Sequence, residues 1–217
     1  MRTIVVGAGF LGMAFKEKGH LVWDRNQFKP ETDLKRLDEF DVVINCIGKS
    51  DTQWCEDNFQ DAFYSNALIV RAMSTYCKTK DIKFVHVSTG CLYDKLDEPS
   101  TETDPIAARN NYLVTKWSGE QFCHKGDLIL RSGLLFGQEK VENNLLCKIL
   151  EFNSYTSTDV FVDAALALIW AGQNGIFNVA CDGSATMCLN KLKNYYKPPK
   201  LRSEIERCYG EIQSNRP

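Results

Sequence analysis

No stretch of about 18 consecutive apolar residues occurs anywhere in the 217-residue chain, so no segment reads as a membrane-crossing helix. Long runs of one charge are missing too. The 26 basic residues stand against 28 acidic ones, a formal net charge of −2, which leaves no electrostatic footprint for nucleic acid or a membrane surface. The nine cysteines form no CxxC pair and no Cys/His ligand spacing, which argues against a bound metal, and an odd, scattered set is not a disulfide scaffold. Internal repeats and low-complexity linkers are absent. "MRTIVVGAGF" runs straight into a glycine-rich turn rather than a signal-peptide cleavage site. These absences predict a soluble, cytoplasmic protein with small-molecule partners, no nucleic-acid partner and no membrane partner. A homodimer remains open.

What is present is a regular alternation. Short apolar runs at 3–6, 20–23, 41–47, 83–87, 128–136 and 176–180 alternate with helical patterns at 10–18, 55–80, 111–124, 143–151, 159–172 and 187–196. Runs apolar on both parities suit strands covered on both faces. The expected fold is therefore α/β, a Rossmann-type doubly wound parallel sheet. Residues 1–140 would form the dinucleotide-binding domain. Residues 141–217 would form a reduced substrate-binding cap interleaved with the last strand of the sheet. Only 16 residues separate Asp24 from Asp41, too few for a helix and a strand, so one crossover should shrink to a loop.

"VVGAGFLG" places Gly7, Gly9 and Gly12 in GxGxxG spacing between the first strand and the first helix. Such glycines allow a tight turn, close approach of a pyrophosphate and helix–sheet packing, with the helix N-terminus facing the phosphates. Asp24 follows the second strand, where a carboxylate can hold ribose hydroxyls, which favours NAD. Its neighbour Arg25 would instead favour the 2′-phosphate of NADP. "NCIG" brings Asn45, Cys46, Ile47 and Gly48 to the same edge, although Asn45 could equally be a strand-end cap. "YLVTK" sets Tyr112 and Lys116 four residues apart on one helix face. A phenol is a poor acid–base catalyst near neutrality unless a nearby cation lowers its pKa, and Lys116 is spaced to do so. Ser88 and Thr89 end a strand ahead of the tyrosine, where a hydroxyl could share a substrate oxygen with it.

Taken in order, "VVGAGFLG", "DVVINCIG", "VHVST", "NNYLVTK" and "LRSGLLFG" resemble the extended short-chain dehydrogenase/reductase superfamily, and "SYTSTDVFVDAALALIWAGQNGIFNVA" looks like the C-terminal segment of its nucleotide-sugar branch. Two branches compete. One is the dTDP-4-dehydrorhamnose reductase family, in whose strand-end motif an acidic residue and an aromatic stand where Gly90 and Cys91 stand here. The other is the bifunctional nucleotide-4-keto-6-deoxyglucose 3,5-epimerase/4-reductase family, similar at "WCE", "TGCLY", "YLVTK" and "NLLCKI".

This second resemblance implies that Cys91 and Lys148 are an epimerisation acid–base pair. Thr89, Tyr112 and Lys116 would carry the reduction. It adds Phe10, Leu11 and Ser132 to the cofactor-binding residues and makes Lys49, Ser50, Cys91, Leu92, Asn144 and Lys148 substrate-binding. The implied activity is epimerisation at C3 and C5 and NAD(P)H-dependent reduction at C4 of a UDP- or dTDP-linked 4-keto-6-deoxyhexose, giving a nucleotide-L-rhamnose or a relative. NADPH is favoured over NADH. The alternatives are a 4-reductase without epimerase activity and a non-catalytic dinucleotide-binding subunit.

Overall fold

The computed structural model describes residues 1–94, 100–136 and 155–179. Strands β1 (Thr3–Val6), β2 (Leu21–Trp23), β3 (Val42–Asn45), β4 (Lys83–Thr89), β5 (Leu128–Ser132) and β8 (Gly175–Val179) make one parallel sheet in the order β2-β1-β3-β4-β5-β8. A parallel pair, β6 (Leu134–Phe136) and β7 (Tyr155–Ser157), lies beside it. The strand order reverses between β1 and β3, where open α/β sheets leave a crevice at the carboxyl edge.

The apolar runs sort by parity onto two faces. Val5 packs with Phe15 of α1 (Phe10–Glu17) and with Phe161 and Val162 of α6 (Thr158–Trp170), whereas Ile4 and Val6 pack with Val70 and Met73 of α4 (Ile69–Thr79). Burying both faces is what continuous apolar strands require. The shortened crossover between β2 and β3 contains only a 3₁₀ turn, Leu34–Glu39, and Phe28 and Leu37 fill the space a longer helix would cover.

Two expected elements are broken. The run 55–80 is four pieces: α2 (Thr52–Asp57), α3 (Phe59–Phe63), a π-helical turn (Tyr64–Leu68) and α4. Asp51 starts it by accepting the Trp54 amide at 2.9 Å, and Asn58 interrupts it with φ −133° and ψ 53°. The run 128–136 splits at Gly133, because β5 belongs to the large sheet and β6 to the small one. Helix α5 (Asn111–Gln121) begins where Asn110 Oδ1 accepts the Leu113 amide at 2.8 Å. The helical patterns at 143–151 and 187–196 lie outside the described residues, as does most of the expected 141–217 cap. β7, α6 and β8 from that stretch lie against or within the dinucleotide half. Among the described residues no helix is long and apolar enough to cross a membrane.

Candidate active site

The glycine turn is tight because backbone meets backbone. A Cβ on Gly12 would fall 1.9 Å from the Gly7 carbonyl oxygen, and one on Gly7, at φ +108°, would fall 2.7 Å from the backbone of Cys46 and Ile47. A Cβ on Gly9 would meet nothing within 4 Å. Gly9 therefore faces the open side. Helix α1 starts there with no side-chain cap and no acidic residue in its first turn, an end whose dipole suits an anion. The turn opens into a cleft of about 720 Å³ whose walls include Gly7, Gly9, Asp24, Arg25, Lys29 and Cys46 to Lys49. A tight glycine cradle, an uncapped helix start and this volume fit a dinucleotide. When bound in reduced form, such a cofactor supplies a hydride.

Some sequence-predicted cofactor residues face elsewhere. Asn45 is fully buried; its Oδ1 accepts the Ile47 amide at 3.0 Å and its Nδ2 lies 3.3 Å from His86 Nδ1. It caps the strand end, leaving Cys46, Ile47 and Gly48 to line the cleft. Leu11 packs in the core behind the turn, and Phe10 stands at the helix start. Ser132 is buried, its hydroxyl 3.1 Å from the Gly133 carbonyl. Asp24 Oδ1 accepts the amides of Asn26 and Gln27 at 2.8 and 3.0 Å. Much of its accepting capacity is thus spent on its own loop.

At the far end of β4, the Thr89 hydroxyl accepts the Cys91 amide at 3.2 Å and lies next to the Tyr112 phenol. Tyr112 is half-buried in α5. Burial, with Cys91 next in importance, pushes its phenol up to about 12, and the neighbouring Thr89 works the other way. A group in this state is protonated at rest, as a proton donor must be. Lys116, one turn on, is buried and donates to the Val87 carbonyl at 2.7 Å. Desolvation lowers it to about 8, against the opposing pull of Glu120. The expectation that Lys116 depresses the phenol is not what this arrangement shows: the ammonium is turned to the strand carbonyl and is not among the groups acting on Tyr112.

Cys91 is half-buried beside the Tyr112–Thr89 pair. Leu92, expected at the substrate, is fully buried and belongs to the core, because the 3₁₀ turn Gly90–Leu92 swings it inward. Lys49 lines the dinucleotide cleft with its ammonium 4.4 Å from the centre of the Trp54 ring, and Ser50 is exposed next to it. Asn144 and Lys148 lie outside the described residues.

Four residues escaped the sequence reading. Asn66, in the π-helical turn, clamps the backbone of Lys49 through its amide (Lys49 N to Oδ1, 2.8 Å; Nδ2 to Lys49 O, 3.0 Å) and donates to Thr115 Oγ1 at 2.9 Å. The wide turn lets α5 come close: a Cβ on Gly119 would lie 2.3 Å from the Asn66 carbonyl oxygen. Glu120 and Arg131 form a buried ion pair, and Tyr93 bonds to the arginine. The only advance signal for Glu120 was its place one turn beyond Lys116.

Comparison with known proteins agrees with this fold. A probable low-salt glycan biosynthesis reductase, Agl14, of Haloferax volcanii is 28% identical over 86% of this chain and 76% of its own length. The dTDP-4-dehydrorhamnose reductase of Mycolicibacterium smegmatis is 30% identical over 55% of this chain, which spans 40% of that relative's length. The structure of dTDP-4-dehydrorhamnose reductase from Bacillus anthracis, solved in complex with NADP, shares the fold with a TM-score of 0.74 at 22% identity, over 89% of this chain and 80% of that one. The model of the NAD dependent epimerase/dehydratase family matches residues 25–140, which take in the second half of the dinucleotide crevice and both Tyr112 and Lys116, and the chain belongs to that family.

Proposed function

We propose that the protein is an NAD(P)H-dependent oxidoreductase that reduces the C4 ketone of a nucleotide-linked 4-keto-6-deoxyhexose. The observation that carries this reading is Tyr112 next to Thr89, with Lys116 one turn further along α5, where its ammonium donates to the Val87 carbonyl and lies 3.8 Å from where a Cβ on Gly48 of the dinucleotide cleft would stand. As the carbonyl carbon accepts a hydride, its oxygen gains negative charge. The Tyr112 phenol gives that oxygen its proton, and the Thr89 hydroxyl donates a second hydrogen bond to it. Lys116 is placed to hold a ribose hydroxyl of the cofactor. Reductases of dTDP-4-dehydrorhamnose among the relatives support the substrate class, and the neighbour holding NADP supports the cofactor.

The finer reading is that the same site first inverts C3 and C5. A ketone at C4 acidifies the hydrogens on both carbons, and the enolate formed by their removal would be held by the same Thr89 and Tyr112. Cys91 stands next to that pair, and a thiol can both take and return a proton. Lys148 is the expected partner from the sequence pattern.

Incubation with UDP- and dTDP-4-keto-6-deoxyglucose in deuterated water, with NADPH or NADH and NMR detection, tests both readings. Deuterium at C3 and C5 of a C4-reduced product is the expected result. Reduction without exchange removes the epimerisation and leaves the reductase. Dinucleotide binding without any turnover removes both and leaves a binding subunit. In Cys91→Ser the exchange should disappear while reduction of a pre-epimerised sugar survives.

A further inference from the structure

A buried ion pair is expensive, and apolar residues of similar volume would often hold a fold equally well. Arg131 on β5 and Glu120 on α5 are 4% and 1% exposed and meet as a fork: Nε to Oε1 at 3.0 Å and Nη2 to Oε2 at 2.6 Å. What singles the pair out is what else it touches. Glu120 Oε1 also accepts the hydroxyl of Ser88. Arg131 Nη1 donates to the Tyr93 phenol at 2.8 Å with its guanidinium over that ring, and the Tyr93 hydroxyl donates to Asn178 Oδ1 at 2.6 Å. Asn178 Nδ2 in turn donates to the Ser100 carbonyl at 2.9 Å. Ser88 and Tyr93 are the two ends of the segment that carries Thr89 and Cys91. Lys116 and Glu120 are one helical turn apart on α5, and both are buried.

We propose that Glu120 is a positioning residue: its carboxylate is the counter-charge to Lys116 and, through Ser88 and through Arg131 to Tyr93, clamps both ends of the Thr89–Leu92 segment against the helix that carries Tyr112. The surroundings of Lys116 support the assignment. Cys46 faces it from the end of β3, His86 from β4, and Glu120 and Cys123 from α5 and the turn after it. His86 is buried and held neutral, first by desolvation and then by Lys116 itself. The Cys46 and Cys123 thiols are pushed far up by burial, so they carry no charge near neutrality. Among the described residues Glu120 is the carboxylate that acts on the lysine, and Arg131, behind it, competes for the same group.

The clamp rests on the reading of Tyr112 and Lys116 as the reacting pair, so its test includes a measurement that needs no turnover. Full-length protein carrying ¹³Cε-labelled lysine is titrated by NMR in the absence of substrate, with the Lys116 signal assigned from Lys116→Met. In Glu120→Gln the Lys116 midpoint should fall by at least about one pH unit, and in Arg131→Met it should rise, since an opposite charge at close range favours the charged form and a like charge disfavours it. Midpoints that stay put, or move in the same direction in both variants, overturn the counter-charge. Tyr93→Phe removes one hydroxyl and keeps the ion pair. It should leave the Lys116 midpoint in place while raising the rate of Cys91 alkylation by iodoacetamide several-fold, and an unchanged rate overturns the clamp. With NADPH and a 4-keto sugar nucleotide, the alkaline limb of kcat in Glu120→Gln should move with the lysine midpoint. If wild type turns over no such sugar, the functional reading fails while the titration and the alkylation still decide the clamp.

Discussion

At the scale of single residues, burial sets the chemistry more than neighbouring charge does. Tyr112 is raised to about 12 and Lys116 lowered to about 8, in both cases with desolvation as the leading cause. Turnover that needs the ammonium should therefore be level below about pH 8 and fall as pH rises through it. For stability the sign is opposite. The lysine pKa is lower folded than unfolded, so its buried charge costs stability below about 8, and the cost is relieved as pH climbs toward the ordinary lysine value. A pH–kcat profile with its alkaline limb near the reference value of 10.5 would mean that Lys116 is not the titrating group. Tyr112→Phe removes the proton donor with little loss of volume. Its kcat should drop by roughly 10²–10⁴-fold, while NADPH affinity, read by fluorescence titration, stays within about twofold.

At the scale of elements, the loop after β2 forms one wall of the dinucleotide cleft. The sequence showed Asp24 and Arg25 side by side and could be read either way. In the structure Asp24 Oδ1 is engaged by the amides of Asn26 and Gln27, the Gln27 side chain returns a bond to the Asp24 amide at 3.1 Å, and Arg36 bonds to the Gln27 carbonyl. The loop is a self-capped turn that puts Arg25 and Lys29 on the cleft wall together with Asp24 and Glu31, and the two cations are the groups there that can hold a 2′-phosphate. Arg25→Ala with Lys29→Ala should raise KM for NADPH by about tenfold or more, on the scale of charge-assisted bonds worth roughly 1.5–3 kcal/mol each, and change KM for NADH little. Equal losses for both cofactors would place the phosphate elsewhere.

The same scale shows what a sequence can and cannot reveal. The glycine turn and the Tyr112–Lys116 spacing are local patterns, and both stand where the strand–helix alternation put them. Leu92 faces the core because one 3₁₀ turn decides where its side chain goes, and of the two readings open for Asn45, cleft or strand-end cap, the structure has the cap. Glu120 looked like an ordinary helix carboxylate, since its partners on β4 and β5 are 32 and 11 residues away.

At the scale of the whole molecule, the dinucleotide cleft draws its walls from the ends of β1 and β3, from the loop after β2 and, through Ser65 and Ile69, from the helical run before β4. A ligand there ties together parts that unfolding must separate. Binding to the native state alone adds about 2.7 kcal/mol at a hundred times Kd, or roughly 5–10 °C in Tm for a chain of this size. NADPH should produce such a shift in wild type, and two glycine variants should divide fold from binding. Gly12→Ala drives a Cβ into the Gly7 carbonyl, so the turn must open and the ligand-free Tm should already fall. Gly9→Ala meets no protein atom and keeps an ordinary backbone, with φ at −78°, so its ligand-free Tm should match wild type. Its new methyl group projects toward the cleft in front of the first turn of α1, where the pyrophosphate must approach, and the NADPH-induced shift should shrink to within about 1–2 °C of zero. A full shift in Gly9→Ala would move the phosphates away from the start of α1 and with them the basis for placing the nicotinamide near Tyr112.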